Sequence, residues 1–285
     1  MKTLDNDLTA ITCDHTRVGV LFSGGLDSAV IAALTRRLLP ADQPIDLINV
    51  AFQQADGGFE VPDRVTGIVA LEEMRRFFGH DCNVNFVKVD VTKAELQMER
   101  EQRVKDLLSP LQTVLDDSIG CAVWFAARGR GRLLDSTLPY TSPCRVLLLG
   151  MGADEQFGGY SRHRGRYDRD GQAGLLDEIR LEMSRISERN LGRDNRIVSD
   201  HGVAGRFPFL DEGVVGYLNS LSLGQKMDLD LPRGLGEKLL LRGVAYKLGY
   251  RQTATNAKRA IQFGSRIAKM ENKKEKATDI AERSA

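Results

Sequence analysis

The sequence predicts an α/β fold, a parallel sheet flanked by helices and continued by a helical carboxyl-terminal part. Three observations predict it. Short apolar runs at Arg17–Phe22, Ile45–Phe52, Val84–Val89 and Arg145–Leu149 read as buried strands. Helical periodicity fills the intervals between the first three of them. Strand–helix alternation demands right-handed crossovers, and hence strands that run parallel.

The elements follow in order. Arg17–Phe22 stops at Ser23-Gly24-Gly25, the mark of a strand ending in a tight turn. Asp27–Leu39 then places Val30, Ile31, Leu34 and Leu38 on one helical face, and Pro40 ends it. After the second strand, Asp63–Phe78 reads as an amphipathic helix with Val65, Ile68, Val69, Leu71, Met74 and Phe78 inward. The stretch 92–132 is expected to be mostly helical, and the fourth strand again ends in glycine. Beyond Gly171 the helical spans are Leu175–Arg189, Glu212–Leu221 and Glu237–Leu248. Three segments result: an extension over 1–16, a domain over 17–268, and a polar tail over 269–285 that lacks the periodicity to fold.

Composition excludes several function classes. The 285 residues are 42% hydrophobic and 28% charged with a net charge of +1, so no bulk charge calls for nucleic acid or an acidic membrane surface. No apolar run has the length of a membrane span, and Met1–Cys13 carries Asp5 and Asp7 rather than a signal-peptide core. The four cysteines are too scattered for a zinc or redox motif, which points to free thiols in a reducing, cytoplasmic compartment. The basic clusters Arg128/Arg130/Arg132 and Arg162–Arg169 lack interleaved aromatics, so no nucleic-acid partner is expected.

The chemistry concentrates in Ser23-Gly24-Gly25-Leu26-Asp27-Ser28, between a strand and a helix start. The glycines let an anion approach the backbone, the helix N-terminus offers free N–H groups, and Ser23 and Ser28 add hydroxyls. Without a Gly-Lys-Ser/Thr ending this is not a Walker loop. Asp27 would repel a bare phosphate, so its presence implies a magnesium ion between carboxylate and phosphates. A second glycine-rich string, Gly150-Met151-Gly152-Ala153-Asp154-Glu155, sits at another strand end, where parallel sheets bind their ligands. Gly150 leaves room for a nucleotide, and Asp154 offers a second metal carboxylate.

Together these strings resemble the asparagine synthetase family of the ATP-pyrophosphatase superfamily. The first matches its pyrophosphate loop. The second matches its Gly-Glu-Gly-Ser-Asp-Glu segment, followed here by Phe157-Gly158-Gly159-Tyr160. Arg206-Phe207-Pro208-Phe209-Leu210-Asp211, Glu237-Lys238-Leu239-Leu240-Leu241-Arg242 and Lys258-Arg259-Ala260-Ile261-Gln262-Phe263-Gly264 resemble three further family elements, in order.

The resemblance implies an adenine nucleotide alpha hydrolase-like fold. ATP contacts are implied at Leu21, Ser23, Gly24, Gly25, Asp27, Ser28, Val50 and Gly150. Magnesium is implied at Asp27 and Asp154, and a catalytic lysine at Lys258 acts on the leaving pyrophosphate. Phe207, Phe209 and Leu210 are read as packing, Asp211 as a helix cap, and Lys238 and Arg242 as framework. The implied reaction adenylates a small carboxylate, aspartate by resemblance, for attack by ammonia, giving asparagine, AMP and pyrophosphate.

Two departures bear on this. The family's enzymes open with a catalytic cysteine on a glutaminase domain. Here Lys2 follows Met1, and the first strand begins near Arg17, so the expected ammonia source is free ammonia or a separate or upstream glutaminase. The glutamate between the two glycines is Met151, which transfers no proton. That substitution defines the alternative reading, a nucleotide-binding scaffold with degraded synthetase chemistry. RNA thiolation, another chemistry of the superfamily, lacks its cysteine pairs.

Overall fold

The computed structural model describes residues 17–270. The expectations for 1–16 and for most of the tail lie outside the described residues. The short helix Ile267–Met270 extends past the expected domain end at 268.

A seven-stranded sheet runs in the order β5-β4-β3-β2-β1-β6-β7. The strands are β1 (Val18–Leu21), β2 (Ile45–Phe52), β3 (Val84–Val91), β4 (Arg130–Leu133), β5 (Pro139–Thr141), β6 (Val146–Leu148) and β7 (Ala204–Arg206). β3, β2, β1, β6 and β7 are parallel; β4 and β5 join antiparallel at one edge. The fold class is therefore as the alternation predicts, with two corrections. The stretch expected to stay helical to Arg132 turns back as β4 from Arg130, after Gly129 ends the helix Val114–Arg128 in a left-handed conformation. β7 has only three residues, Ala-Gly-Arg, and offers no strand signal of its own.

β2 lies at the centre with every side chain buried, although it carries Asp46 and Asn49. The Asp46 carboxylate has partners, as buried polar groups generally do, whereas Asn49 pairs through its Nδ2 and leaves its Oδ1 without one. Asp46 accepts from Asn85 Nδ2 at 2.9 Å and from the Tyr140 hydroxyl, and Asn49 Nδ2 donates to the Phe22 carbonyl at 2.8 Å and the Asp63 carbonyl at 2.9 Å. The Asn49 amide thus ties the end of β1 to the start of the following helix, close to the glycine loop.

α1 (Leu26–Leu38) buries Leu26, Ala29, Val30, Ile31, Ala32 and Ala33, but Leu34 and Leu38 face solvent. α2 (Pro62–Phe78) corrects its predicted inward face in the same way: Val65 is exposed, while Arg64 and Glu73 are buried. Arg64 is held by Asp90 at 2.7 Å. Glu73 Oε1 accepts from the backbone N–H of Arg251 and Gln252, both at 2.7 Å, and Oε2 from Thr253 N at 3.1 Å and its hydroxyl at 2.7 Å. A charged side chain with that many donors takes an inward position that hydrophobic periodicity assigns elsewhere.

Burial alone would raise the Glu73 carboxyl, but these donors hold it below the usual range. Its contribution is therefore present above the unfolded-state carboxylate pKa and is lost as pH falls through the lower folded value. Glu73→Gln would aim an amide donor at the Thr253 donors. It should cost about 1–3 kcal/mol at neutral pH, a difference that closes on acidification. Urea melts of both proteins at pH 7 and in the acid range check this; a gap independent of pH refutes it.

Candidate functional site

A cavity of about 580 Å³ opens at the carboxyl ends of β1 and β6. Four separated segments build its polar wall. The first is the loop Ser23–Ser28. Its geometry is fixed by Gly25 N donating to Ser23 Oγ at 3.2 Å and by Ser28 Oγ donating to the Gly25 carbonyl at 3.0 Å. Gly24 has φ 72° and packs against the Thr66–Gly67 backbone of α2, where any Cβ would collide. α1 begins without a side-chain cap, so its first-turn N–H groups are available to an anion.

The second segment follows β6. Asp154 lies in the first turn of the short helix Ala153–Gln156. The third and fourth bring Lys238 and Lys258. Lys238 Nζ lies 2.7 Å from Asp27 Oδ2, 2.8 Å from Asp27 Oδ1 and 2.7 Å from Asp154 Oδ1. Lys258 Nζ lies 3.0 Å from Asp154 Oδ2 and 4.1 Å from the centre of the Tyr160 ring.

Lys238, expected in the framework of a helix starting at Glu237, stands instead on the cavity wall, and the helix begins at Leu239. Lys238 caps it in a left-handed conformation, φ 58°, with its side chain only 2% exposed. A bulky residue in that region is strained, and such strain persists where surrounding contacts impose it. Here the contacts are two carboxylates and Gly159, where a Cβ would strike both Asp154 Oδ1 and the Lys238 chain. Nothing in a string such as Glu-Lys-Leu-Leu-Leu-Arg separates an inward ammonium from a solvated one. Arg242 does serve the framework, donating to the carbonyls of Glu237, Ala254 and Asn256 and so tying the Lys238 turn to the Lys258 loop.

The electrostatics follow from this packing. Burial pushes the Asp27 carboxyl up, Lys238 pulls against it, and Asp154 adds to the rise. For Asp154 burial is outweighed by Lys238 and Lys258, which hold it at about 2. Burial would lower Lys238, but the two carboxylates raise it instead.

The other expected contacts are distributed unevenly. Leu21, Ser23, Gly25, Asp27, Ser28 and Gly150 line the cavity, whereas Gly24 and Val50 do not. Gly24 shapes the loop from behind. The Val50 side chain is in the core, but the last β1–β2 pair is Leu21 with Ile48, so the backbone at Val50 extends past the end of β1. Met151 is half-buried on the cavity wall with Leu115, Ile119 and Ile261.

Phe209 packs in the core and Asp211 caps the helix Glu212–Ser220, accepting from Gly213 N at 2.9 Å. The arginines after Tyr160 are engaged internally: Arg162 with Glu182 at 2.8 Å, Arg164 with the Leu229 and Leu231 carbonyls, and Arg166 with Asp170 at 2.6 Å.

Among the described residues no group of three or more His, Cys, Asp or Glu could cage a metal. The two carboxylates still suit magnesium. They are hard oxygen donors that both line the cavity, and magnesium takes one or two carboxylates and completes its shell with phosphates and water.

A mostly parallel sheet with this glycine loop at the strand ends defines an ATP-pyrophosphatase-type domain. The chain belongs to the asparagine synthase family, whose model matches residues 4–67 and 165–283. The matched stretches hold the Ser23–Ser28 loop, Lys238 and Lys258; Gly150–Asp154 falls between them. The chain is 49% identical to mouse asparagine synthetase domain-containing protein 1 over 94% of its own length and 48% of the relative's. The human protein of that name is 47% identical, over 96% of this chain and 50% of its own. A putative glutamine-hydrolysing asparagine synthetase of Methanocaldococcus jannaschii is 26% identical, over 74% of this chain and 34% of its own. The chain thus spans about half the length of the curated relatives it matches. Among the described residues no helix is long and apolar enough to cross a membrane.

Proposed function

We propose that this cavity binds ATP with its phosphates on the Ser23–Ser28 loop, adenylates a small carboxylate and releases pyrophosphate. Ammonia would then displace AMP to give an amide. By family resemblance the carboxylate is aspartate and the product asparagine. The observation that carries the reading is the convergence of Asp27, Asp154, Lys238 and Lys258 beside an anion-ready loop.

In this reading the loop N–H groups and the hydroxyls of Ser23 and Ser28 hold phosphate oxygens. Lys238 fixes both carboxylates in place. Lys258, the more accessible ammonium, meets the charge that builds on the departing pyrophosphate. Magnesium held by Asp27 and Asp154 would supply charge neutralisation at the transferring phosphoryl group. The compartment is proposed to be cytoplasmic, with ammonia supplied free or by a separate or upstream glutaminase.

Pyrophosphate release from ATP, ammonium and a panel of amino acids tests the reading. Release that depends on one carboxylate supports it; none with any member refutes it. Lys258 lies in a polar loop and is partly exposed, so Lys258→Ala should leave the melting temperature within about 2 °C while release falls by ~100-fold or more. A large loss of thermal stability would make Lys258 structural.

One observation favours a second reading, a nucleotide-binding scaffold without synthetase turnover. Met151 lines the cavity at the position where the family pattern has glutamate, and a thioether neither accepts nor donates a proton.

A further inference from the structure

Asp27 and Asp154 both line the cavity, yet an ammonium stands on every one of their carboxylate oxygens. Lys238 Nζ lies 2.8 Å from Asp27 Oδ1, 2.7 Å from Asp27 Oδ2 and 2.7 Å from Asp154 Oδ1. Lys258 Nζ lies 3.0 Å from the remaining oxygen, Asp154 Oδ2. Two carboxylates set against two ammoniums leave the cluster without net charge.

Such a cluster offers little to a free dication. Magnesium sits about 2.0–2.1 Å from a carboxylate oxygen. An ion at that distance from an aspartate oxygen that is itself 2.7 Å from Lys238 Nζ would lie no more than about 4.8 Å from the ammonium. Positive charges that close repel strongly wherever bulk water is excluded. A triphosphate reverses the balance. Phosphates on the Ser23–Ser28 loop bring several negative charges, and oxygens that complete a magnesium shell.

The two lysines differ in their freedom to make room. The Lys238 side chain is 2% exposed, its backbone N–H donates to the Phe157 carbonyl at 2.9 Å, and a Cβ added at Gly159 would come within 2.5 Å of its Cε. Lys238 is therefore walled in. Lys258 is 21% exposed and stands on the loop between the short helices Thr253–Thr255 and Ile261–Gly264. Of the two it is the one able to leave, and the oxygen it frees is Asp154 Oδ2.

We propose that Lys238 and Lys258 determine which form of metal this site accepts. Together they close the carboxylate pair to free divalent cation, and the metal is admitted only with a triphosphate, when Lys258 leaves Asp154 Oδ2 for the phosphates. The assignment rests on the ATP reading above and deepens it. Lys238 is the fixed counter-charge and Lys258 the movable one.

The test follows the electron paramagnetic resonance of Mn2+, an oxygen-preferring stand-in for magnesium, titrated alone against the full chain. Calorimetry with Mg-ATP runs beside it. The native chain should bind Mn2+ alone weakly and Mg-ATP measurably. Lys258→Met uncovers Asp154 Oδ2 and leaves the cluster one charge negative, so it should bind Mn2+ alone about 10-fold tighter or more. Adding Asp154→Asn to that variant should abolish the gain, which assigns the ion to this pair. Lys238→Met should gain in the same direction, measured below its melting temperature; Lys258→Met, on its partly exposed loop, keeps the comparison open if Lys238→Met does not fold. A native chain that binds Mn2+ alone as tightly as Lys258→Met overturns the exclusion of free metal. A gain that survives Asp154→Asn overturns it too, because the ion then sits elsewhere. Failure of the native chain to bind Mg-ATP overturns the ATP reading and admission with triphosphate, whereas exclusion of free metal is read from the Mn2+ titrations, which contain no nucleotide.

Discussion

Replacing Lys238 by methionine is expected to cost the fold about 3–5 kcal/mol, the range for removing one partner of a buried ion pair. The ammonium is almost completely buried and within 2.8 Å of two carboxylates. Methionine fills a similar volume and leaves Asp27 facing Asp154 with only Lys258, 3.0 Å from Asp154, to offset the pair. Urea unfolding measures the loss directly.

Two companions distinguish charge from packing. The double variant Lys238→Met/Asp27→Asn removes the carboxylate that has lost its partner and should recover a large part of the stability, because the residues are in contact and their effects are not additive. Millimolar magnesium should stabilise Lys238→Met more than the native chain, since a cation bound only by the folded state shifts the equilibrium toward it. A loss below about 1 kcal/mol would place the cluster in the energetic class of surface pairs and remove the case for Lys238 as its organiser.

The second large effect concerns turnover. If the adenylation reading holds, Met151→Glu is expected to raise pyrophosphate release with aspartate and ammonium by ~100-fold or more, the typical contribution of a proton-transfer group. The side chain at 151 is on the cavity wall, so the new carboxylate would enter the site rather than the core. It would also join Asp27 and Asp154 near the phosphates. Mg-ATP affinity must therefore be measured in the same variant, so that weaker binding is not read as slower chemistry. Met151→Leu is the control for shape. Robust asparagine formation by the native chain, unchanged by Met151→Leu, would show that no glutamate is needed here and would remove the argument for a scaffold.

The sequence by itself determined the parallel sheet, the glycine loop at the end of its first strand and the order of the motifs. Strand runs such as Ile45–Phe52 and the Ser23–Ser28 string carry their meaning locally: burial on both faces needs continuous apolar residues, and close anion approach needs glycine. Asp27, Asp154 and Lys258 were legible because each belongs to such a local string. Lys238, Asp63 and Glu73 were not. Each is a charged residue at a helix start or on a helix face, where solvation is the ordinary fate, and each is buried here by partners or walls distant in sequence. Lys238 meets a carboxylate 211 residues away, and Glu73 caps a loop 178–180 residues away. Asp63 is closed in by Gly264. Hydrophobic periodicity reads only a residue's own polarity, so it puts Val65 inward and passes over Glu73, whereas the tertiary structure exposes Val65 and buries Glu73. That decision belongs to long-range packing, because only the assembled fold supplies the donors that make a buried charge stable.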